Sequence, residues 1–252
     1  MKILPDDFSS YAADIDGLIN AITAFVIGWF IISTIALFYG IFTSMKTEGG
    51  KAKYIPGIGW EQTKWILIPL ILVVASDFYI DIITTKVWTK VEFIKEDQRA
   101  GAIPVKVTGQ QFEWSYQYSG ADKKFGTEDD FDGAYGKPLI LPVNTISLLN
   151  LSSMDVLHCF FVREFRFKQD IIPGRVIERW VEPIQLSGDK NFELICAEIC
   201  GGNHGSMRGE IKVVSKEEYA RFLANPDAYY EGIADIKPPQ FTSRFPDEED
   251  SE

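Results

Sequence analysis

The sequence predicts a membrane α-helical hairpin of two transmembrane helices followed by an all-β barrel or sandwich. Three observations carry this. Residues 18–45, LINAITAFVIGWFIISTIALFYGIFTSM, hold no charged side chain. A second apolar run starts at Trp65 and continues to Asp77. Beyond residue 100 the chain breaks into short β-prone runs separated by Gly, Pro, Asn and Asp.

The leading MKILPDDFSSYAADID has one Lys, two adjacent Asp and no apolar core, so it does not read as a secretory signal. The run that follows exceeds the roughly 20 residues that cross a hydrocarbon core about 30 Å thick. In the second span Pro69 is tolerable, because neighbouring groups can satisfy the freed carbonyl. Asp77 and Asp81 lie one helical turn apart on one face. Contact with lipid headgroups and a polar face toward a partner subunit both fit them. The connecting loop holds Lys46, Lys51, Lys53 and Lys64 against Glu48 and Glu61, whereas the leader holds Asp6, Asp7, Asp14 and Asp16 against Lys2. Basic loops stay on the cytoplasmic side, so both ends of the hairpin and everything after it are expected outside.

The β-prone runs are IPVKVTGQQFEWSYQY, KPLILP, NTISLLNLSS, DVLHCFFVREFRF, GRVIERWVEP, NFELICAEI and GEIKVVS, the pattern of an antiparallel sandwich or barrel. SKEEYARFLANP then reads as an amphipathic helix with a Ser cap and Glu three residues on. The final IKPPQFTSRFPDEEDSE is acidic and Pro-containing. The chain is thereby divided into an external segment (1–17), the hairpin (18–88), a β domain (100–215) and a C-terminal helix with acidic tail (216–252).

A net charge of −11 without a basic stripe excludes a nucleic-acid reader. Three cysteines do not make a disulfide framework, and two histidines exclude any site needing many imidazoles. Yet CAEICGGNHGSM, residues 196–207, concentrates two Cys, one His and one Met. On spacing alone a Cys-x-x-x-Cys disulfide, a zinc site and a copper site all stand. Zinc leaves Met207 unexplained and a disulfide leaves both histidines unexplained. Thiolate, imidazole and thioether together suit copper.

The loop resembles the C-x-E-x-C-x-x-x-H-x-x-M signature of subunit II of the heme–copper cytochrome c oxidases, with Cys196, Glu198, Cys200, His204 and Met207 in place. The family's upstream D-V-x-H strand has its counterpart in DVLH, ending at His158. This resemblance implies a cupredoxin-like β domain carrying a binuclear copper centre, CuA. By it, Cys196 and Cys200 bridge both coppers. His158 and Met207 complete one metal; His204 and the Glu198 backbone carbonyl complete the other. The Glu198 side chain is implied at a magnesium site shared with subunit I. Lys168, Asp170, Pro173, Gly174 and Arg175 match the family's K-x-D-x-x-P-G-R run, which lies against subunit I near the heme propionates.

The resemblance further implies a subunit of a proton-pumping terminal oxidase, an oxidoreductase and translocase. Cytochrome c, or a c-type cytochrome domain, would reduce CuA. Electrons would pass to heme in subunit I, where oxygen becomes water, so this chain would do no oxygen chemistry. Subunits I and III and membrane lipids are the implied partners. The copper domain would face the periplasm or intermembrane space, and the leader resembles bacterial members, favouring a plasma membrane.

Three departures stand out. Phe112 replaces the first Trp of the family's G-x-Q-W-x-W, leaving Phe112 and Trp114 as candidates for electron uptake. Gln62 replaces a Glu at the mouth of a proton pathway, and Glu61 is the candidate substitute. Cys159 follows His158 where Ser is usual; strand alternation points it away from the metal. The acidic insertion 121–133 holds Asp122, Glu128, Asp129, Asp130 and Asp132 but matches no full EF-hand loop for calcium; a solvated loop and a docking patch for a lysine-rich donor both fit it. A quinol oxidase subunit, which keeps the fold without copper, is opposed by the intact ligand set.

Overall fold

An uncharged run with nowhere to hide from its solvent must satisfy its own backbone, and helix is the local way to do so. In the computed structural model, which describes residues 4, 6–45, 50, 54 and 56–233, helix α1 spans Ala12–Thr43 and α2 spans Trp60–Glu92. At 1.5 Å per residue each is about 48–50 Å long, more than a bilayer core. Their apolar side chains point outward: Phe30 and Trp65 are 69% and 76% exposed. Such surfaces fit hydrocarbon rather than water.

Lys90 pairs with Asp14, and the Phe25 and Tyr79 rings meet with centroids 5.8 Å apart. The two contacts are separated by equal steps in opposite directions, so the helices run antiparallel. Tyr79 lies between Asp77 and Asp81. That register sets both carboxylates alongside the uncharged run of α1 rather than at its end. Of the loop charges behind the orientation argument, Lys46, Glu48, Lys51 and Lys53 lie outside the described residues, as does the acidic tail after residue 233.

Ala13–Phe93 form one compact unit, and the described residues on either side of it form another. After a short helix α3 (Glu96–Arg99), this second unit builds strands β1 (Ile103–Gln110), β2 (Glu113–Tyr118), β3 (Phe131–Asp132), β4 (Leu139–Pro142) and β5 (Ser147–Ser153). Then come β6 (His158–Val162), β7 (Phe167–Ile171), β8 (Ile177–Val181), β9 (Phe192–Cys196) and β10 (Arg208–Val214). One sheet has the order β3-β2-β1-β5-β8 and the other β4-β10-β9-β6-β7. Alternation supplies the core between them. Val105, Val107, Tyr116 and Leu149 come from one sheet; Phe160, Val162, Leu194 and Ile211 come from the other. Each such side chain contributes roughly 1.5–3 kcal/mol by burial.

The sheets are mixed, not purely antiparallel: β1 runs parallel to β5, and β4 parallel to β10. The local sequence reveals neighbours joined by tight turns, as β1 and β2 are. The parallel pairs arise because the chain changes sheet repeatedly, as between β4 and β5 across a turn in which Asn144 has φ 50°.

β4 is buried on both faces because helices α4 (Lys216–Ala224) and α5 (Pro226–Glu231) cover the outside of the domain. The Ser215 hydroxyl accepts from the Glu218 N–H at 3.1 Å, the expected cap. The helix stops at Ala224, where Asn225 caps α5 by accepting from the Ala228 N–H. Phe222 is fully buried among Tyr118, Phe131, Tyr219, Tyr229 and Tyr230.

The segment before α1 belongs to this unit as well. Ser9 bridges Pro183, its hydroxyl donates to the Phe165 carbonyl at 2.8 Å, Phe8 packs on Phe192, and Tyr11 meets Trp180 edge-on.

Candidate metal centre

β6 and β9 are antiparallel neighbours with Phe160 opposite Cys196. That register brings the start of β6, where His158 stands, beside the chain as it leaves β9. The loop after Cys196 then turns back through a 3-10 turn, His204–Ser206, and delivers Met207 to the start of β10. The Cys196 N–H donates to the Met207 carbonyl at 3.2 Å, closing the loop at its base.

Six donor groups converge. The Cys196 and Cys200 sulfurs are 3.8 Å apart as free thiols. Cys196 Sγ lies 3.9 Å from His158 Nδ1 and 3.1 Å from the Glu198 carbonyl oxygen. Cys200 Sγ lies 3.5 Å from His204 Nδ1 and 3.7 Å from Met207 Sδ. His158 is 0% exposed and Met207 1%. Burial, reinforced by Cys196 beside it, pushes the Cys200 thiol up to about 12. A cation entering the cluster would therefore displace protons from it. Two thiols, two imidazoles, a thioether and a carbonyl form a soft donor set that fits copper; a buried thioether turned onto a thiol is a ligand that zinc does not require.

His158 is oriented from behind. Its Nε2–H donates to Asp155 Oδ1 at 2.8 Å, which assigns the proton to that nitrogen and leaves the Nδ1 lone pair facing the sulfurs. Burial pushes the Asp155 carboxyl up. The hydrogen bonds from His158 and from the Gln111 and Val156 N–H groups outweigh this and hold it below its usual value. The sequence signal for Asp155 was its place in DVLH, three residues before the histidine; no role had been read into it. Gly109 and Gly201 were missed too. A Cβ on Gly109 would stand 3.1 Å from the His158 ring. One on Gly201 would stand 3.1 Å from the Phe112 ring.

Phe112 is half-buried and packs on the metal loop at Gly201, whereas Trp114 is buried and meets His158 edge-on at 6.2 Å. Cys159 is buried opposite Asp170 and outside the donor cluster; burial and then Asp170 push its thiol up to about 12. Lys168 and Asp170 are exposed on β7, and Arg175 is exposed on the turn after it. Glu198 is exposed. Glu61, in the first turn of α2, pairs with Lys64 at 2.6 Å. In the 121–133 loop, Asp122, Asp129 and Asp130 accept from the loop's own backbone N–H groups.

The family model for the cytochrome c oxidase subunit II periplasmic domain matches residues 103–214, from β1 through β10. The alternative cytochrome c oxidase subunit 2 of Bradyrhizobium diazoefficiens is 31% identical over 234 residues, covering 83% of this chain and 79% of the relative. The chain belongs to the cytochrome c oxidase subunit II family. Other similar members are cytochrome c oxidase subunit 2 of Cereibacter sphaeroides and heme-copper oxidase subunit 2 of Aeropyrum pernix. The first is 27% identical, covering 64% of this chain and 59% of the relative. The second is 32% identical, covering 54% of each. Among solved structures, the periplasmic domain of subunit II of cytochrome oxidase (CoxB) of Bradyrhizobium japonicum is similar, at 28% identity and TM-score 0.41. It covers 52% of this chain and 96% of that one. As a subunit II, the chain joins two apolar helices to a cupredoxin-like β-sandwich. All six donor residues fall inside the matched domain.

Proposed function

We propose that this chain is the electron-accepting subunit of a proton-pumping terminal oxidase. Six donors, three of them sulfur, gathered at one end of the sandwich carry the reading. Cys196 and Cys200 would hold two coppers between them, with His158 and Met207 on one side and His204 and the Glu198 carbonyl on the other. A copper pair bound there supplies a one-electron carrier, fed by cytochrome c or a c-type cytochrome domain. Electrons then leave for heme in subunit I, where oxygen is reduced to water.

The other residues take their roles around this centre. Phe112, against the metal loop at Gly201, and Trp114, against His158, are the candidate entry points for the electron. The exposed Glu198 carboxylate is available for a magnesium ion shared with subunit I. Lys168, Asp170 and Arg175 offer charges to the same subunit, and Glu61 stands for the missing proton-path Glu. Residues 18–88 anchor the chain; the leader (1–17), the β domain (100–215) and the C-terminal part (216–252) lie outside a bacterial plasma membrane.

By its charge alone the acidic loop 121–133 is a candidate docking patch for a lysine-rich donor, although it follows β2 at the strand end away from Gln111 and the metal loop. The test is stopped-flow oxidation of reduced cytochrome c by the complete oxidase. Raising ionic strength from about 0.01 M to about 0.1 M shortens the Debye length from about 30 Å to about 10 Å. The second-order rate is expected to fall at least tenfold, the lower end of electrostatic steering. A rate independent of salt would contradict docking through this loop.

A further inference from the structure

We infer that Gln111 is a positioning residue that clasps the two ligand-bearing segments of the metal centre to each other. The inference rests on the copper reading of the site and adds a residue to it.

His158 reaches the centre from the start of β6, and Cys200 from the loop after β9. β6 and β9 are registered at two pairs, Phe160 with Cys196 and Phe161 with Ile195, and the Ala197 N–H still donates to the Cys159 carbonyl at 3.1 Å; beyond Ala197 the metal loop has left the sheet. A backbone carbonyl in such a loop still needs a donor. For Cys200 that donor comes from the opposite sheet: Gln111 Nε2 donates to the Cys200 carbonyl at 2.5 Å. Gln111 sits in the turn between β1 and β2, and its backbone N–H donates to Asp155 Oδ2 at 2.8 Å. The other oxygen of Asp155 accepts from His158 Nε2–H. The hydrogen bonds therefore run from the imidazole to Asp155, from Asp155 to the Gln111 main chain, and from the Gln111 side chain to Cys200.

Gly201 supplies an independent observation. Its φ is +136°, and a Cβ there would lie 2.7 Å from Gln111 Nε2. The metal loop thus has a bare backbone where the Gln111 amide crosses it. An ordinary exposed glutamine in a turn needs neither this seat nor two convergent donors. With the clasp in place, the Cys200 peptide and the His158 imidazole are held at fixed separation before any metal arrives. Partners behind metal ligands typically change metal affinity 10–100-fold when lost.

The experiment uses the complete chain, loaded with copper in detergent, as Gln111→Glu and Gln111→Leu. Glu keeps the length but turns an acceptor toward the Cys200 carbonyl; Leu removes the donor without adding charge. Both variants are expected to lose copper to a chelator at least tenfold faster and to show an altered visible and EPR spectrum. Their copper-free unfolding midpoint stays at the wild-type value. Gln117→Leu is the control: it breaks a bond to Lys106 elsewhere on the same ribbon and leaves copper release unchanged. If neither Gln111→Glu nor Gln111→Leu folds, Gln111→Asn decides the question on the same readouts, because it keeps the amide but is one methylene too short to reach the Cys200 carbonyl. Wild-type release and spectrum in the variants would overturn the clasp. A wild-type chain that refuses copper would instead overturn the functional reading.

Discussion

Cys200→Ser abolishes the two-copper centre, while Cys159→Ser leaves it intact. Cys200 is the hub of the cluster, its sulfur within 3.8 Å of the Cys196 sulfur, the His204 nitrogen and the Met207 sulfur. Serine replaces a large, soft, ionisable donor by a small, hard hydroxyl that copper does not favour. No other thiol can take its place, because Cys159 lies outside the donor cluster. The expected result is at most one copper per chain, and electron uptake from cytochrome c at background rate. The buried hydroxyl also costs about 1–3 kcal/mol if it finds no partner. Metal analysis together with stopped-flow reduction checks it; two coppers retained in Cys200→Ser would contradict the assignment of that sulfur.

Gly109→Val is expected to damage fold and site together. Gly109 lies on β1 and faces the opposite sheet, where a Cβ would stand 2.7 Å from Ile171 Cδ1 and 3.1–3.2 Å from the His158 ring. The backbone itself is ordinary extended strand, so the constraint is space rather than dihedral strain. Overpacking of this kind costs about 1–3 kcal/mol. Here Ile171 Cδ1 must move, and the His158 imidazole aimed at the metal centre must give slightly as well. Denaturant unfolding should show the loss of stability, and copper content should fall in the fraction that remains folded. A Gly109→Val chain with the wild-type midpoint and full copper would show that the ring does not rest on β1.

What could be read from the sequence had local causes. The hairpin is legible because a run without charge has few other fates, and the Ser215 cap because its partner is three residues away. The donor set was legible because five of its six residues fall between 196 and 207, and DVLH supplied the sixth. What could not be read depends on contacts between distant residues. Gln111 reaches Asp155 across 44 positions and Cys200 across 89. Ser9 bonds to Phe165 across 156, so nothing local in the leader shows that it packs on the β domain. The parallel pairing of β1 with β5 was hidden because strand propensity carries no direction. The run IPVKVTGQQFEWSYQY looked continuous although it folds back at Gln111 and Phe112 into two antiparallel strands.

The central claim is that these donors hold two copper ions as one centre. The most direct measurement is the metal content of the complete chain purified in detergent, with its EPR spectrum. Two coppers per chain sharing one unpaired electron is the predicted result. One zinc, a single isolated copper, or a chain that refuses copper would contradict it.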